Sequence, residues 1–235
     1  MIKITLPDGA VKEYEQGVTA LDVAKSISEG LARKVLAASI NNEVWDATRP
    51  IQTDSSLKLL TWDDAEAKST YWHSSAHLMA EAIEATFAGA KFWVGPAVEN
   101  GFYYDVDLGE NKITEEDLVS LEKKMVELAK QNNTVLRKQI SKADAINYFT
   151  QKDDEYKLDL LQNLEDGNIT LYSQGAFTDL CRGPHIPATG AIKAIKLTSI
   201  AGAYWKGDVS KKQLTRIYGI TFPSNKELEE YLFLI

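Results

Sequence analysis

Two short motifs contain all three histidines and the only cysteine of this 235-residue chain. The first runs from His73 to His77 and the second from Cys181 to His185. Because the chain has no other histidine or cysteine, we expect folding to bring the four side chains into one site. The first pair lies in residues 71–87, whose small and apolar residues suit a buried helix, so the i, i+4 spacing puts both imidazoles on one face. The second pair belongs to a tight loop, because the Gly-Pro sequence between its members breaks a helix.

Two other interpretations of these side chains compete with a catalytic site. In one, His73 and His77 are polar members of a core helix face and Cys181 is a buried small residue, which is the common state of a free cysteine. In the other, three histidines and one cysteine bind a tetrahedral zinc ion. A metalloprotease site is excluded, since Ser74 stands where that helix motif requires a glutamate general base.

The composition predicts a soluble globular protein of one large or two smaller domains. The chain is 44% hydrophobic, which allows an ample core. It has no apolar run of about 18 residues and no positively charged start before an apolar segment, so we expect neither a membrane span nor a signal peptide. A single cysteine cannot form an internal disulfide, which fits a reducing cytoplasm.

The charge is unevenly distributed. A net charge of −8 argues against high intrinsic affinity for nucleic acid, because phosphate binding relies on lysine and arginine. Residues 182–216, however, contain seven basic residues and one acid. We call the basic residues the basic strip: Arg182, Lys193, Lys196, Lys206, Lys211, Lys212 and Arg216. Such a strip can hold an RNA end, although a solvated basic face is the commoner explanation.

Residues 1–62 have the pattern of a small β-grasp (ubiquitin-like) domain. Alternating apolar residues around an Asp8-Gly9 turn predict a hairpin. A capping box then begins a helix at Thr19, and Gly30 is placed to stop it. Two further strands before residue 62 complete a ββαββ order.

Residues 63–223 are predicted to form an α+β domain with helices packed on a mainly antiparallel sheet. The helix with the two histidines comes first, further helices begin near Thr114 and Ser141, and another covers residues 156–164. The rest of the domain is rich in Thr, Tyr, Ile and Gly, which predicts strands separated by turns. Residues 224–235 open one more helix that has no C-terminal cap, so we expect the chain to be part of a longer protein.

Five motifs together resemble the N-terminal part of the bacterial threonyl-tRNA synthetases. They are HSSAH at 73–77, GPAVENGFYYD at 95–105, DLCRGPH at 179–185, AGAYWKGD at 201–208 and RIYG at 216–219. The resemblance covers essentially the whole chain, whereas the related alanyl-type editing domains share the histidine and cysteine pairs but not the leading TGS module or the GFYYD strand. It implies a TGS domain over 1–62, an editing domain over 63–223, and over 224–235 the start of a linker helix to a synthetic core that this chain lacks.

The resemblance implies proofreading after transfer, in which serine esterified to a threonine tRNA is removed by hydrolysis. A pocket built for threonine cannot strongly reject serine, because one methyl group is worth only about 1 to 3 kcal/mol. A second, smaller pocket then destroys the product and excludes threonine by a clash with its extra methyl group. We therefore expect an aminoacyl-tRNA hydrolase of the cytoplasm that lacks the aminoacylation core.

The same resemblance assigns roles to seven residues. The catalytic candidates are His73, His77, Lys157, Cys181 and His185, and the substrate-binding candidates are Asp179 and Tyr104. His73 would activate water or the ribose hydroxyl, while Lys157 would stabilise the oxyanion or orient water. Asp179 would pair with the serine ammonium. On the residues alone, a solvated helix lysine is the commoner interpretation of Lys157, and Tyr104 is equally a core residue.

No cofactor is expected for editing, and zinc held by His73, His77, Cys181 and His185 is the alternative, typical of an alanyl-type deacylase. A non-enzymatic RNA-binding or regulatory module is a further alternative, for which the first domain and the basic strip suffice. The expected partner is the tRNA acceptor end that carries serine, and no membrane is expected. Because the family's dimer contacts lie in the missing core, we expect this chain to be a monomer and the full-length protein a homodimer.

Overall fold

The computed structural model describes residues 1–234, which divide by their internal contacts into two compact units. The first unit comprises Met1–Tyr71 with Gly183–Pro187, and the second comprises Trp72–Arg182 with the described residues from Ala188 onward. Within residues 1–234, no helix is both long and apolar enough to cross a membrane.

The first unit is built on a mixed sheet of five strands. Its elements are β1 (Ile2–Thr5), β2 (Val11–Tyr14), α1 (Ala20–Ile27), α2 (Glu29–Ala32), β3 (Ala37–Ile40), β4 (Glu43–Trp45) and β5 (Ser55–Leu60). The strand order is β2-β1-β5-β3-β4, in which β1 and β5 run parallel and the other neighbours antiparallel. This arrangement is consistent with the predicted β-grasp and has one strand more than the sequence indicated.

Helix α1 begins at the predicted capping box. The Thr19 hydroxyl accepts the backbone N–H of Asp22 at 3.1 Å, and the Asp22 carboxylate accepts the backbone N–H of Thr19 at 3.2 Å. Behind this cap the helix buries three apolar residues, Ala20, Val23 and Ala24. Removing such apolar surface from water contributes about 25 cal/mol per Å².

The end of α1 differs from the prediction. The helix stops at Ile27, where Ser28 takes an extended conformation and caps the next helix through a hydrogen bond from the Leu31 N–H at 3.0 Å. Gly30 therefore lies inside α2 and does not stop α1. Ser28, a favoured N-cap residue, begins α2 and so ends α1 before Gly30 is reached.

The second unit contains two antiparallel sheets and their covering helices. Its elements are α3 (Ala65–Thr86), which starts in the first unit, β6 (Lys91–Phe92), β7 (Ala97–Val98), β8 (Gly101–Asp107), α4 (Glu115–Lys130), β9 (Leu136–Gln139), α5 (Lys142–Gln151), α6 (Glu155–Gln162), β10 (Thr170–Gln174), β11 (Phe177–Leu180), β12 (Ala194–Tyr204), β13 (Gln213–Phe222) and α7 (Asn225–Leu234). One sheet has the order β12-β13-β8-β6 with β7 also on β8, and the other has the order β11-β10-β9. Since all of these strand pairs are antiparallel, the predicted α+β class is confirmed.

Helix α3 is buried on most of its sides, as expected for a helix with little polar surface. Leu78 and Ile83, on different sides of the helix, are both fully buried. A hydroxyl contact of 2.7 Å between Ser75 and Thr221 of β13 fixes the rotation of α3 about its axis. This rotation determines where the side chains of His73 and His77 point.

Helix α6 is attached to hairpin β10–β11 by an apolar cluster. The buried members of the cluster are Ala145, Phe149, Leu161, Ile169 and Leu171. The helix begins at Asp154, whose carboxylate accepts the backbone N–H of Lys157 at 3.1 Å. From this first turn of α6, the side chain of Lys157 reaches Asp179 of β11.

The helix predicted from Ser224 is present as α7. The Ser224 hydroxyl accepts the Glu227 N–H at 3.3 Å and donates to its carboxylate at 2.7 Å. The ring of Tyr231 packs on Phe222 of β13, with centroids 5.5 Å apart. Ile235, the last residue of the predicted helix, is outside the described residues.

Candidate active site

A buried carboxylate, Asp179 on β11, lies at the centre of the candidate site. Its Oδ1 is 2.7 Å from Lys157 Nζ, and its Oδ2 accepts a hydrogen bond from the Tyr104 hydroxyl of β8. The Leu180 N–H also donates to Oδ1, at 2.8 Å. Only 2% of the Lys157 side chain and 4% of the Asp179 side chain are exposed. The site is therefore organised around an ion pair removed from water, where charges interact far more strongly than at a surface.

The ammonium group of Lys157 has three acceptors within the unit. Besides Asp179, its Nζ donates to the Trp93 carbonyl at 2.9 Å and lies 3.4 Å from the Tyr104 hydroxyl. An ammonium has three N–H donors, so these contacts satisfy the charged group in its buried position. Lys157 is consequently not the solvated helix lysine that the sequence alone allowed.

His77 lies on the buried side of α3, next to the carboxylate. Its Nε2 is 3.7 Å from Asp179 Oδ2, which is too long for a hydrogen bond. Burial lowers the pKa of His77 from 6.5 to about 3, against the opposing charge of Asp179. The imidazole is therefore neutral near pH 7, and its ring packs edge-on against Phe177 with centroids 5.7 Å apart.

His73 has contacts at both ring nitrogens. Its Nδ1 is 3.0 Å from the carbonyl oxygen of Gly95. A carbonyl only accepts, so in the neutral ring the proton is on Nδ1 and the lone pair is on Nε2. Nε2 lies 3.0 Å from Cys181 Sγ. Because both side chains are half-buried, this nitrogen is the basic atom at the more accessible edge of the site.

The surroundings set the charges of the central groups. Burial alone would raise the pKa of Asp179, but the positive charge of Lys157 and the hydrogen bonds from Lys157 and Tyr104 hold it below its ordinary value. Burial and the adjacent Asp179 charge raise the pKa of Tyr104 well above its ordinary value. Near neutral pH the carboxylate is thus ionised and the phenol is a neutral donor.

The loop between β6 and β7 contributes backbone groups that the sequence analysis did not name. The carbonyls of Trp93 and Gly95 accept hydrogen bonds from Lys157 and His73. A side chain at Gly95 would overlap the ring of Tyr104, so the backbone can approach this closely only with glycine. The glycine was the readable signal, because a glycine beside an aromatic strand often marks such an approach.

Asp154 is a second group that sequence reasoning missed. It caps α6, and burial raises its pKa although the Lys157 N–H donates to it. An aspartate just before a short apolar helix is a readable N-cap signal. Its effect on the site is to fix the backbone from which the Lys157 side chain extends.

The structure assigns His185 to the first unit, since Gly183–Pro187 groups there. Its side chain is buried, and its backbone N–H donates to Asp46 Oδ1 at 2.7 Å. That His185 completes a site with the other three residues of the two motifs stays a prediction.

Three of the four candidate metal ligands belong to the second unit and are close together. The ligand atoms of His73, His77 and Cys181 all lie within 4.8 Å of one another. A tetrahedral zinc ion binds nitrogen at about 2.0 Å and sulfur at about 2.3 Å, so its ligand atoms lie roughly 3.5 Å apart. The donor set suits zinc in chemical type, and its spacing needs only small side-chain rotations.

The basic strip is partly neutralised by acids of its own unit. Four of its members form ion pairs: Lys196, Lys206, Lys212 and Arg216. The strongest geometry is that of Arg216, whose Nε and Nη2 donate to the two oxygens of the buried Asp105 at 2.6 and 2.8 Å. The strip therefore offers RNA less positive charge than its composition indicates.

Two family models match the chain. Residues 2–61 match the TGS domain, and residues 169–218 match the Threonyl and Alanyl tRNA synthetase second additional domain. The second match includes Asp179 and Cys181 of the candidate site.

The chain is also similar over its whole length to curated threonine–tRNA ligases. It is 64% identical over 235 residues to that of Cytophaga hutchinsonii, 60% over 236 residues to one of Porphyromonas gingivalis, and 56% over 235 residues to that of Bacteroides thetaiotaomicron. Each comparison covers 100% of this chain and 36% of the relative. The chain thus spans about a third of the length of these relatives, and the predicted resemblance is confirmed.

Proposed function

We propose, for a chain that carries the TGS and second additional domains of the threonyl-tRNA synthetases, the hydrolysis of serine esterified to a threonine tRNA. The observation that carries this proposal is the buried pair of Lys157 and Asp179 beside the two histidines of α3. Such a site offers a base, a cation, a carboxylate and neutral donors within one small space, which are the groups that ester hydrolysis requires. The coarser interpretation, an editing module of a tRNA synthetase, is supported by the match to the second additional domain and by the similarity to threonine–tRNA ligases.

His73 is proposed as the general base. The hydrogen bond from Nδ1 to the Gly95 carbonyl supports this role, since it makes Nε2 the acceptor nitrogen, which would take a proton from water or from the ribose hydroxyl once either replaces the Cys181 thiol there. Cys181 lies next to that nitrogen and is proposed to line the pocket. His77, neutral and packed against Phe177, is proposed to position His73 and the substrate.

Lys157 and Asp179 are proposed to act together. Lys157 would stabilise the oxyanion or orient water, and Asp179 would bind the serine ammonium. Since the two groups pair with each other at 2.7 Å, a substrate ammonium at Asp179 has to compete with Lys157. Competition of this kind frees the lysine for the developing oxyanion only when an amino group is bound.

Two further residues keep their proposed roles. Tyr104 is almost fully buried and donates to Asp179, so it would orient the carboxylate and contact the substrate from one side. His185 is proposed to line the pocket, as the family resemblance implies. The proposed location is the cytoplasm, and a monomer is the proposed state of this chain.

The test is the hydrolysis of seryl-tRNA and threonyl-tRNA by the purified chain. We expect the seryl ester to be cleaved at least about tenfold faster, because exclusion of one methyl group is worth about 1 to 3 kcal/mol. Binding of the tRNA is expected to be weak and sensitive to salt, in keeping with a net charge of −8. Equal rates on the two esters, or no hydrolysis of either, contradict the proposal.

A zinc-dependent deacylase is the second candidate. The spacing of His73, His77 and Cys181 favours it, with His185 as the predicted fourth ligand. When bound, zinc would polarise the ester or lower the pKa of a water molecule. In this case His73 could not serve as the base, because its Nε2 lone pair would be on the metal.

A non-enzymatic RNA-binding module is the third candidate and the one that the site supports least. Docking of RNA needs exposed cations, whereas Lys157 is buried against Asp179 and four members of the basic strip are paired with acids. The deacylation assay distinguishes this candidate from the other two.

A further inference from the structure

A buried glutamate, Glu81, follows His77 by one helical turn on α3 and has no role in the proposed chemistry. Its carboxylate reaches the turn of hairpin β10–β11. Oε2 accepts from Gln174 Nε2 at 3.1 Å, and Oε1 accepts from the Ala176 N–H at 3.4 Å. The i, i+4 spacing puts Glu81 on the same face of α3 as His77. The same helix face therefore contacts both the candidate site and the hairpin turn.

The turn fits closely around the Glu81 carboxylate. Gly175, at the tip of the turn, has a φ of +51°, in the left-handed region that favours glycine. A side chain at Gly175 would overlap the Glu81 carboxylate. The side chains of Glu81 and Gln174 are both buried, 4% and 3% exposed. The contact is therefore a closely packed, buried part of the fold and not a surface contact.

Stability alone does not account for a carboxylate in this position. Burial raises the pKa of Glu81, and the hydrogen bonds from Gln174 and Ala176 only partly oppose the shift. Apolar side chains of similar size at both Glu81 and Gln174 would fill the space without the cost of removing a charge from water, whereas an apolar residue at Glu81 alone would leave the Gln174 amide without its acceptor. A polar group kept at such a cost often maintains a specific geometry, and here the geometry is that of the hairpin on α3.

Two distances of the candidate site depend on how the hairpin lies on α3. His77 Nε2 and Asp179 Oδ2 are 3.7 Å apart, and His73 Nε2 and Cys181 Sγ are 3.0 Å apart. In each pair the histidine belongs to α3, and its partner belongs to β11 or directly follows it. A shift of the turn near Gly175 would be passed along the ladder of β10 and β11 and would change both distances.

We propose that Glu81 is a positioning residue, which sets the distance between the histidines of α3 and the groups of β11 by holding the turn at residues 174–176. The expected effect on the rate of hydrolysis rests on the proposed function. The expected effect on the hairpin rests on geometry alone. Glu81 touches no reacting group, so its removal changes the placement of the catalytic groups and leaves their chemistry intact.

The experiment compares three variants of the whole chain. Glu81→Ala removes both hydrogen bonds. Glu81→Gln keeps them, because the new amide oxygen can accept the Ala176 N–H while its NH₂ group donates to the side-chain oxygen of a flipped Gln174. Glu84→Ala is the matched control, since Glu84 lies on the same helix and pairs with Lys152 at the surface, at 3.4 Å.

For seryl-tRNA hydrolysis, we expect Glu81→Ala to lower kcat about 10- to 100-fold with KM within about threefold, since a misplacement of 1 Å costs up to about 100-fold. Glu81→Gln should keep at least a third of the kcat, and Glu84→Ala should match the parent. A kcat unchanged in Glu81→Ala overturns the proposal. A loss in Glu81→Gln equal to that in Glu81→Ala overturns it as well, because the carboxylate would then act by its charge.

Amide hydrogen exchange gives a second readout that needs no activity. In Glu81→Ala, exchange should rise at least about tenfold across residues 174–180 and stay unchanged in β13. Unchanged exchange at residues 174–180 overturns the proposal for Glu81, even if the parent protein hydrolyses no ester. Failure of the proposal for Glu81 can therefore be told apart from failure of the proposed function. If Glu81→Ala does not fold, Gln174→Ala removes the hydrogen bond between Gln174 and Glu81 from the side of the turn. The same changes in kcat and in amide exchange are then expected of Gln174→Ala, and their absence overturns the proposal.

Discussion

Lys157 Nζ lies 2.7 Å from Asp179 Oδ1, and both side chains are almost entirely removed from water. The two groups that the resemblance assigns to the oxyanion and to the substrate ammonium are thus each other's partners when no substrate is present. Separating two buried opposite charges is costly unless new partners replace the old ones. A serine ester offers both partners at once, an ammonium for Asp179 and a developing oxyanion for Lys157. We expect this exchange to tie hydrolysis to the presence of an α-amino group.

The first prediction concerns the contribution of this pair to stability. Lys157→Met leaves a buried carboxylate without its cation, so we expect a loss of about 3 to 5 kcal/mol in the free energy of unfolding. The double variant Lys157→Met/Asp179→Asn removes both charges and should recover more than half of that loss. Urea denaturation in the presence of a chelator measures the free energy of unfolding of the parent and of both variants.

An exposed pair provides the control for this prediction. Lys91 and Asp153 lie 2.9 Å apart, but the Asp153 side chain is 96% exposed. Lys91→Met should therefore change the free energy of unfolding by less than about 1 kcal/mol. Equal effects at Lys91 and Lys157 would show that burial does not strengthen the central pair.

The second prediction follows from the lowered pKa of His77. The folded protein holds this pKa at about 3, whereas the unfolded chain has 6.5, so between these values only the unfolded chain binds the proton. Stability is therefore fully present above pH 6.5 and falls as the pH drops towards 3, by about 1.4 kcal/mol per pH unit from this group. His77→Gln should reduce that slope by about the same amount between pH 5.5 and pH 4. If the free energy of unfolding falls with the same slope in the parent and in His77→Gln, measured with chelator present, the prediction is wrong.

The sequence predicted those parts of the fold that local patterns specify. The capping box at Thr19 is present, helix α4 begins after the predicted cap at Thr114, and the α+β class with a β-grasp at the start is confirmed. Strand β4 was missed because three residues between tight turns show no alternation. Gly30 was misread because the nearer signal, the cap at Ser28, competed with it.

The sequence also indicated the candidate residues of the site, but not how they are paired. Nothing in the pattern around Lys157 distinguishes a solvated lysine from one buried against Asp179, because that distinction depends on contacts between distant segments. The carbonyls of Trp93 and Gly95 are backbone groups, so residue identity marks only the close approach at Gly95 and not the hydrogen bonds that these carbonyls accept. Glu81 looked like any helix glutamate, since its partner turn lies far away in the sequence.

The third prediction separates the two members of the His73 and Cys181 contact. His73→Ala should lower the rate of seryl-tRNA hydrolysis by about 10² to 10⁴, the usual contribution of a general base. Cys181→Ala should cost less than about tenfold, because the His73 lone pair and its bond to Gly95 stay in place. Single-turnover deacylation with each folded variant measures the difference. A larger effect at Cys181 than at His73 would move the reactive role to the thiol.

The last prediction concerns metal. His73, His77 and Cys181 are spaced closely enough for zinc, so chemistry alone would favour a metal site. Against it stands the pair of Lys157 and Asp179, which in the proposed mechanism supplies a cation for the oxyanion and an acceptor for the substrate ammonium. We therefore expect the chain to hydrolyse seryl-tRNA at its full rate after exhaustive chelation, and added zinc to inhibit by occupying His73 Nε2. The measurement is deacylation with and without chelator, paired with elemental analysis. Near-stoichiometric zinc, together with activity that chelation removes and zinc restores, would establish the metal-dependent deacylase instead.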